Sequence, residues 1–422
     1  MYIIKSALAV SVAIALFSTP AMATNGLAPT GLGQVHKAMG GAAAGNPQNT
    51  MSMASNPASA SFIDNGVDLA IEVFKPNRAA TTNTPAHNPA VEYSGDGRST
   101  FLIPEMGYKR GVSGRTALGI VIYGNGGMNT EYKAGSLEFP AGGVVPMNGV
   151  GPGGKDTGVN LEQLFVSPTV SIKVNQRHSL GLSLNLVRQQ FEATGLSAFL
   201  GDPRVQPALV NNITDAGVST STGVGATVGW MGKFNRLTAG ASYRGKVKMK
   251  EFEEYKGLFP SGKMNIPAAL TVGASMQITP RTLVAADVQK IYYSKESATG
   301  NSASSQNSFG TEDGPGFGWD DQTIFKLGVK HQATPKLALM GGLNYGKSPV
   351  GPEDTFFNTL TPAVVEKHVS FGAEYALTKN TKLVGSFTKT FENEVKGDLS
   401  KGQPFDIKMD QMAFGIGLSV KM

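Results

Sequence analysis

The residues with the richest chemistry in this chain are scattered rather than clustered. Five histidines, His36, His87, His178, His331 and His368, show no His-Glu-x-x-His or other metal-ligand spacing, and the chain has no cysteine. A thiol nucleophile, a thiolate metal site and a disulfide framework are thereby excluded together. No Gly-x-Ser-x-Gly elbow exposes a serine. Gly149 to Asp156, GVGPGGKD, nearly spells a phosphate-binding loop. Asp156, however, stands where such a loop needs Ser or Thr, and its charge would repel phosphate. No strand pattern leads in and no helical one follows, so the stretch reads as a flexible surface loop. The reading is of a non-enzyme with no catalytic residue, no metal and no cofactor.

Charge points the same way. The chain carries 37 Lys and Arg against 31 Asp and Glu, a formal +6, and loss of Lys5 with an exported leader lowers this by one. The excess is spread thinly without a Lys/Arg cluster, which argues against nucleic acid. It suits contact with lipopolysaccharide, ordinary solvated charge, or a basic interior facing an anionic substrate.

The elements that would position such groups are strands. Residues 1–23 read as a signal peptide, with Lys5 as the positive region, Ala7 to Phe17 as the apolar region and Ala21-Met22-Ala23 as the cleavage site. Beyond it the chain alternates. Leu180, Leu182, Leu184 and Leu186 take turns with Gly181, Ser183 and Asn185, and Met412, Phe414, Ile416, Leu418, Val420 and Met422 do the same at the end. A period of two means strands with one apolar and one polar or small face. The runs exceed the usual five or six residues of a globular strand and match the ~9–11 needed to cross a bilayer at a tilt.

Fourteen such segments fall near 66–78, 99–110, 116–126, 160–173, 178–191, 222–234, 236–250, 266–278, 281–294, 321–332, 336–347, 365–377, 381–395 and 405–421. Tight turns such as Asn175-Gln176-Arg177 and Thr378-Lys379-Asn380 alternate with long connections near 127–159, 192–221, 251–265, 295–320, 348–364 and 396–404. Short turns on one side and long loops on the other describe an all-β, fourteen-stranded antiparallel transmembrane barrel of a Gram-negative outer membrane. Residues 66–422 form this barrel. Residues 24–65 form a plug: dense in Gly, Ala and Asn, without helical stripe or alternation, they bury too little alone to fold but could be held compactly inside something hollow.

Within that segment Gly31-Leu32-Gly33, Ala38-Met39-Gly40-Gly41 and Asn56-Pro57-Ala58 resemble the hatch of the outer-membrane long-chain fatty-acid and hydrocarbon transporters, the FadL/TodX type. Tyr243-Arg244 with Val247-Lys248, Trp319-Asp320-Asp321 and Ser348-Pro349-Val350 look like the family's later strands and loops. One departure is the end, Lys421-Met422, where such barrels commonly close on an aromatic residue that the assembly machinery reads.

The resemblance implies passive inward movement of hydrophobic small molecules, with fatty acids or aromatic hydrocarbons as substrates. Asn56, Pro57 and Ala58 are expected to anchor the plug to the inner wall. Two apolar loop clusters, Leu196, Phe199 and Leu200, then Phe252, Tyr255, Leu258 and Phe259, are expected to form the groove that captures substrate, or to cap the barrel with a small core of their own. Candidate partners for a substrate carboxylate are Arg188, at the outer end of the fifth strand, together with Lys326 and Lys330. Gly124, Gly126 and Gly127 fall where the family has a kink in its third strand, implying a lateral opening; otherwise these glycines begin a loop. Partners are the substrate and outer-membrane lipid and lipopolysaccharide, with the protein a monomer. A surface barrel of structural or adhesive function is the competing reading.

Overall fold

The computed structural model describes residues 24–83, 90–133 and 155–422. The expected signal peptide, His87 and the glycine-rich part of 149–154 lie outside the described residues. Fourteen antiparallel strands form the wall. They are β1 (Gly66–Thr82), β2 (Phe101–Gly111), β3 (Thr116–Tyr132), β4 (Thr157–Lys173), β5 (His178–Thr194), β6 (Ser219–Phe234) and β7 (Leu237–Arg244). Then follow β8 (Ala269–Thr279), β9 (Thr282–Ile291), β10 (Gln322–Gln332), β11 (Leu337–Gly346), β12 (Lys367–Ala376), β13 (Thr381–Val395) and β14 (Phe405–Lys421). Each pairs with its neighbour in sequence, and β14 returns to β1 along a ladder from Gly66 opposite Lys421 to Thr82 opposite Phe405. Two short pieces, Glu92–Ser94 on β1 and Lys248–Met249 on β6, add to the sheet. Closure satisfies the backbone without water, the condition for standing in hydrocarbon.

The alternation sets which face meets lipid. Leu180, Leu182, Leu184 and Leu186 are exposed, while Ser179, Ser183 and Asn185 between them are buried in the interior. Tight turns sit at one end, where Asn175 accepts from the backbone N–H groups of Arg177 and His178 and Asn235 takes a left-handed φ of 54°. The long connections gather at the other end. There the strands outrun the sequence boundaries: β3 continues to Tyr132, β4 begins at Thr157 and β6 at Ser219. Above the bilayer these strands are covered by loops rather than lipid, so alternation fades while backbone pairing persists. By contrast β7 stops at Arg244, short of the expected 250.

Residues 24–60 pack against the inward side of the wall, and Asp64 and Asn65 at the end of the segment are exposed. Two helical turns, α1 (Gln34–Ala38) and α2 (Ser52–Ser55), and a 3₁₀ turn at Pro57–Ser61 are joined by irregular backbone, most of it buried. Inward-facing glycines make room for them. A Cβ on Gly240 would run into the Ala44 carbonyl, and one on Gly342 into the backbone of Gly40. Much of the glycine content is therefore a seat for this segment.

The two faces should respond differently to substitution. Leu184→Arg, on the lipid side, is expected to lower stability in bilayers by about 2–4 kcal/mol. Asn185→Ala removes contacts to Ser167 and Thr227 and should cost about 1–3 kcal/mol. Urea unfolding in lipid vesicles measures both; equal costs for Leu184→Arg and a neighbouring loop substitution would contradict the assigned faces.

Candidate functional site

Charged groups pin the interior segment to the wall. Lys37 Nζ lies 3.0 Å from both Glu72 on β1 and Glu105 on β2, all three buried. Glu105 also accepts from the Gly33 N–H at 3.1 Å and from Gln34 Nε2 at 2.8 Å. On the opposite wall Asp287 of β9 accepts from the N–H groups of Ala43 and Ala44 at 2.8 and 2.9 Å. Asp68 of β1 accepts from the Thr50 N–H at 2.8 Å. Asn56 donates to the carbonyls of Ala44 at 2.8 Å and Trp230 at 3.0 Å, and accepts from the Ala58 N–H at 3.0 Å. Burial opposes the charge on Lys37, but Glu105 and Glu72 outweigh it and hold its pKa above the ordinary value. His36, between the carbonyls of Leu32 and Asn46, has its pKa lowered, chiefly by burial.

Between this segment and the wall is an enclosed cavity of about 60 Å³. Pro29, Gly31 and Gly41 line it from inside, and Asn125, Arg244, Asp287 and Lys326 from the wall. Arg244 reaches Asn125 Oδ1 and the Pro267 carbonyl only at 3.4 Å, stands 6.0 Å from the Phe165 ring centroid, and leaves its Nε without a partner. Lys326 is buried opposite Asp287 in the β9–β10 register. Neither cation makes a salt bridge within 4.0 Å among the described residues. Lys330, in contrast, is occupied by Glu374 at 3.2 Å and Gln48 at 3.0 Å. Arg188 needs correcting: it is exposed on the outer face of β5. It lies an even number of residues from Leu180–Leu186, and a period of two carries it outward with them.

The apolar loop residues meet over the mouth. Phe191 packs against Tyr255 at 4.9 Å, Phe259 at 4.7 Å and Phe252 at 5.7 Å between ring centroids. Leu196, Phe199, Phe252, Tyr255 and Phe259 all join one buried core, with Leu258 partly buried beside it. Leu200 does not join them and is 37% exposed. In this conformation the clusters cap the barrel.

The wall is interrupted beside β3. Pairing with β2 runs from Ala117 opposite Gly111 to Tyr123 opposite Glu105 and stops; Phe101–Pro104 continue on β1 alone. On the other side, the β3–β4 register shifts between Gly124 and Gly127, placing Asn125 and Gly126 opposite Gln163 alone. From Asn125 through Thr130 every residue is buried, so the alternation ends beyond the register shift. Pro104, with no N–H to offer, sits next to the last pair. Higher up, Arg78 of β1 bridges the split, donating to Asp96 at 3.1 Å and to Asn129. Phe74, Phe101 and Ile103 fill the seam from within.

A third strand with a shifted register in a barrel filled by its own N-terminal segment is a particular architecture, and the sequence agrees with it. Residues 11–422 match the family described as outer membrane protein transport protein (OMPP1/FadL/TodX). The chain belongs to this family. As a FadL/TodX-type protein it is an outer-membrane transporter of hydrophobic substrates and not an enzyme. Its fold is similar to the Pseudomonas putida toluene transporter TodX, with TM-score 0.70 and 17% identity over 93% of this chain and 99% of that one. The Ralstonia pickettii toluene transporter TbuX gives 0.63 and 18% over 93% and 99%. A Pseudomonas aeruginosa FadL homologue gives 0.64 and 14% over 96% and 99%. No curated protein matches the chain in sequence.

Sequence reading missed Arg244, Asp287 and the Lys37 ion cluster of this FadL/TodX-type barrel. Arg244 had a signal: its neighbour Tyr243 faces lipid, so the alternation turns Arg244 inward. Lys37→Ala should leave Glu72 and Glu105 facing each other unpaired, a local loss of about 3–5 kcal/mol. The expected readout is faster hydrogen exchange in residues 24–65 and higher ion conductance, with the barrel still heat-modifiable on gels. Unchanged exchange would mean that the ion cluster does not hold the segment.

His36 gives a pH dependence. A lowered folded pKa means the opened segment binds the proton more tightly, so stability is intact above the ordinary value of 6.5 and falls as pH drops below it. Exchange protection around 32–46 should weaken in that direction, and His36→Gln should flatten the profile.

Proposed function

We propose that this barrel takes up amphipathic hydrophobic molecules, with a fatty acid as the substrate type, and releases them sideways into the outer membrane. The observation that carries the reading is the departure of β3 from β2 above Tyr123, beside a cavity whose wall includes Asn125. A substrate whose carboxylate reached that small cavity would lie close to the seam. Leaving there avoids the aqueous periplasm, where an apolar chain is poorly solvated. The movement is diffusion without an energy source. The loop clusters would part to admit substrate, with exposed Leu200 offering an apolar first contact.

Arg244 and Lys326 favour a carboxylate over a neutral hydrocarbon, because a charge-assisted hydrogen bond is strongest in a partly dry cavity. The residues 24–65 act as the plug that keeps the lumen closed to water-soluble solutes. Asn56-Pro57-Ala58 anchor it to the wall through the contacts of Asn56.

Two measurements test this. Cysteines at Ile103 and Gly124, placed where a Gly124 Cβ would come 3.0 Å from Ile103, should form a disulfide across the seam that stops uptake until reduced. Normal uptake through a verified cross-link would mean the substrate leaves elsewhere. The double substitution Arg244→Gln, Lys326→Gln should reduce fatty-acid binding by roughly ten- to a hundredfold and leave toluene binding unchanged. Equal effects on both ligands would remove the carboxylate assignment without touching the exit.

A further inference from the structure

The outward face of β8–β11 carries a feature that transport does not use. Ala274 and Ala286 lie opposite each other across β8 and β9 and form the floor of an apolar depression of about 740 Å³. Along its outer-leaflet side runs one cross-strand row, Val272, Val288, Phe325 and Tyr345, each opposite the next. Leu327 and Leu343 close it at the side. Two methyl groups stand there beside the larger Val272, Val288, Phe325, Leu327 and Leu343.

Basic groups stand over this hollow at the end bearing the long loops. Tyr345 is opposite Lys367, and Lys290 and Lys347 each lie two residues beyond the row, about 7 Å at the usual rise per residue. All three lysines are exposed. Lys290 has a loose ion pair with Asp321 at 3.4 Å and sits 5.4 Å from the Tyr292 ring centroid. Lys347 and Lys367 form no salt bridge among the described residues. Tyr345 and Phe325 mark the depth, since aromatic residues gather at the bilayer interface of such barrels.

An acyl-sized hollow beneath an ammonium row, at outer-leaflet depth, matches a lipid that combines fatty chains with phosphate. We propose that the outer face of β8–β12 binds one lipopolysaccharide molecule, with an acyl chain over Ala274 and Ala286 and the lipid A phosphates against Lys290, Lys347 and Lys367. This surface is independent of the transport path and stands or falls apart from it.

The test uses the full chain in detergent, titrated with diphosphorylated lipid A or with phosphatidylethanolamine and read by native mass spectrometry. The wild type should retain one lipid A. Ala286→Phe, which fills the hollow, and the triple substitution Lys290→Glu, Lys347→Glu, Lys367→Glu should each lower retention roughly tenfold or more. If Ala286→Phe does not assemble, Ala274→Leu poses the same question. Undiminished retention in the assembled variants, or equal retention of phosphatidylethanolamine, would overturn the proposal. So would disulfide-linked dimers of Ala274→Cys in the outer membrane, which would place a second copy in the hollow.

Discussion

A backbone amide in hydrocarbon has no water to turn to, and that constraint shapes everything in this barrel. It requires closure, which the β14–β1 ladder supplies over the full length of both strands. It also makes any interruption in the wall informative, because unpaired groups must be withdrawn or patched. At β3 both happen. The strand becomes buried on both faces where the register shifts at Gly124–Gly127, and above the split Arg78 and the Gly95–Gly97 backbone, which pairs with Glu131, restore hydrogen bonds from another element. The interruption in the β2–β3 ladder is thus patched by hydrogen bonds from another element.

The interior follows the opposite rule. A lumen this wide cannot be filled by wall side chains, so the chain fills it with its own first residues and holds them with ions. Lys37 stands between two carboxylates, and Glu105 also accepts from the N–H of Gly33 and the Gln34 amide. Such a cluster holds well while complete and poorly once one member goes, because a buried unpaired charge is far costlier than the pair is favourable. Apolar packing adds to these ions: Met51 and Met53 join one buried cluster with Val121, Tyr123 and Phe165 of the wall, and Val35 and Met39 join another with Ala285, Met340 and Val384.

Legibility in the sequence divides along the same line. The lipid-facing rows and the strand count are local patterns, and a period of two exposes them. Arg188 was within reach of that same period, which places it outward with Leu182 and Leu184; choosing it by its height along the strand ignored its face. Lys326 was found by phase and Arg244 was passed over although phase decided it equally. The plug contacts were not legible. Asp287 meets Ala43 more than two hundred residues away, and nothing in either stretch announces the other.

The loop clusters show where composition stops being sufficient. Leu196, Phe199, Phe252, Tyr255 and Phe259 had to be buried somewhere, and a capture groove and a cap are equally good solutions for isolated apolar groups. The structure adds that they surround Phe191, which belongs to β5 rather than to a loop. Phe191 is one of several strand residues that fasten the cap to the rim, with Met128, Tyr132, Val159 and Leu161 in the same core and Tyr132 donating to the Thr359 carbonyl. Leu200 alone of the two clusters stays outside that core, 37% exposed.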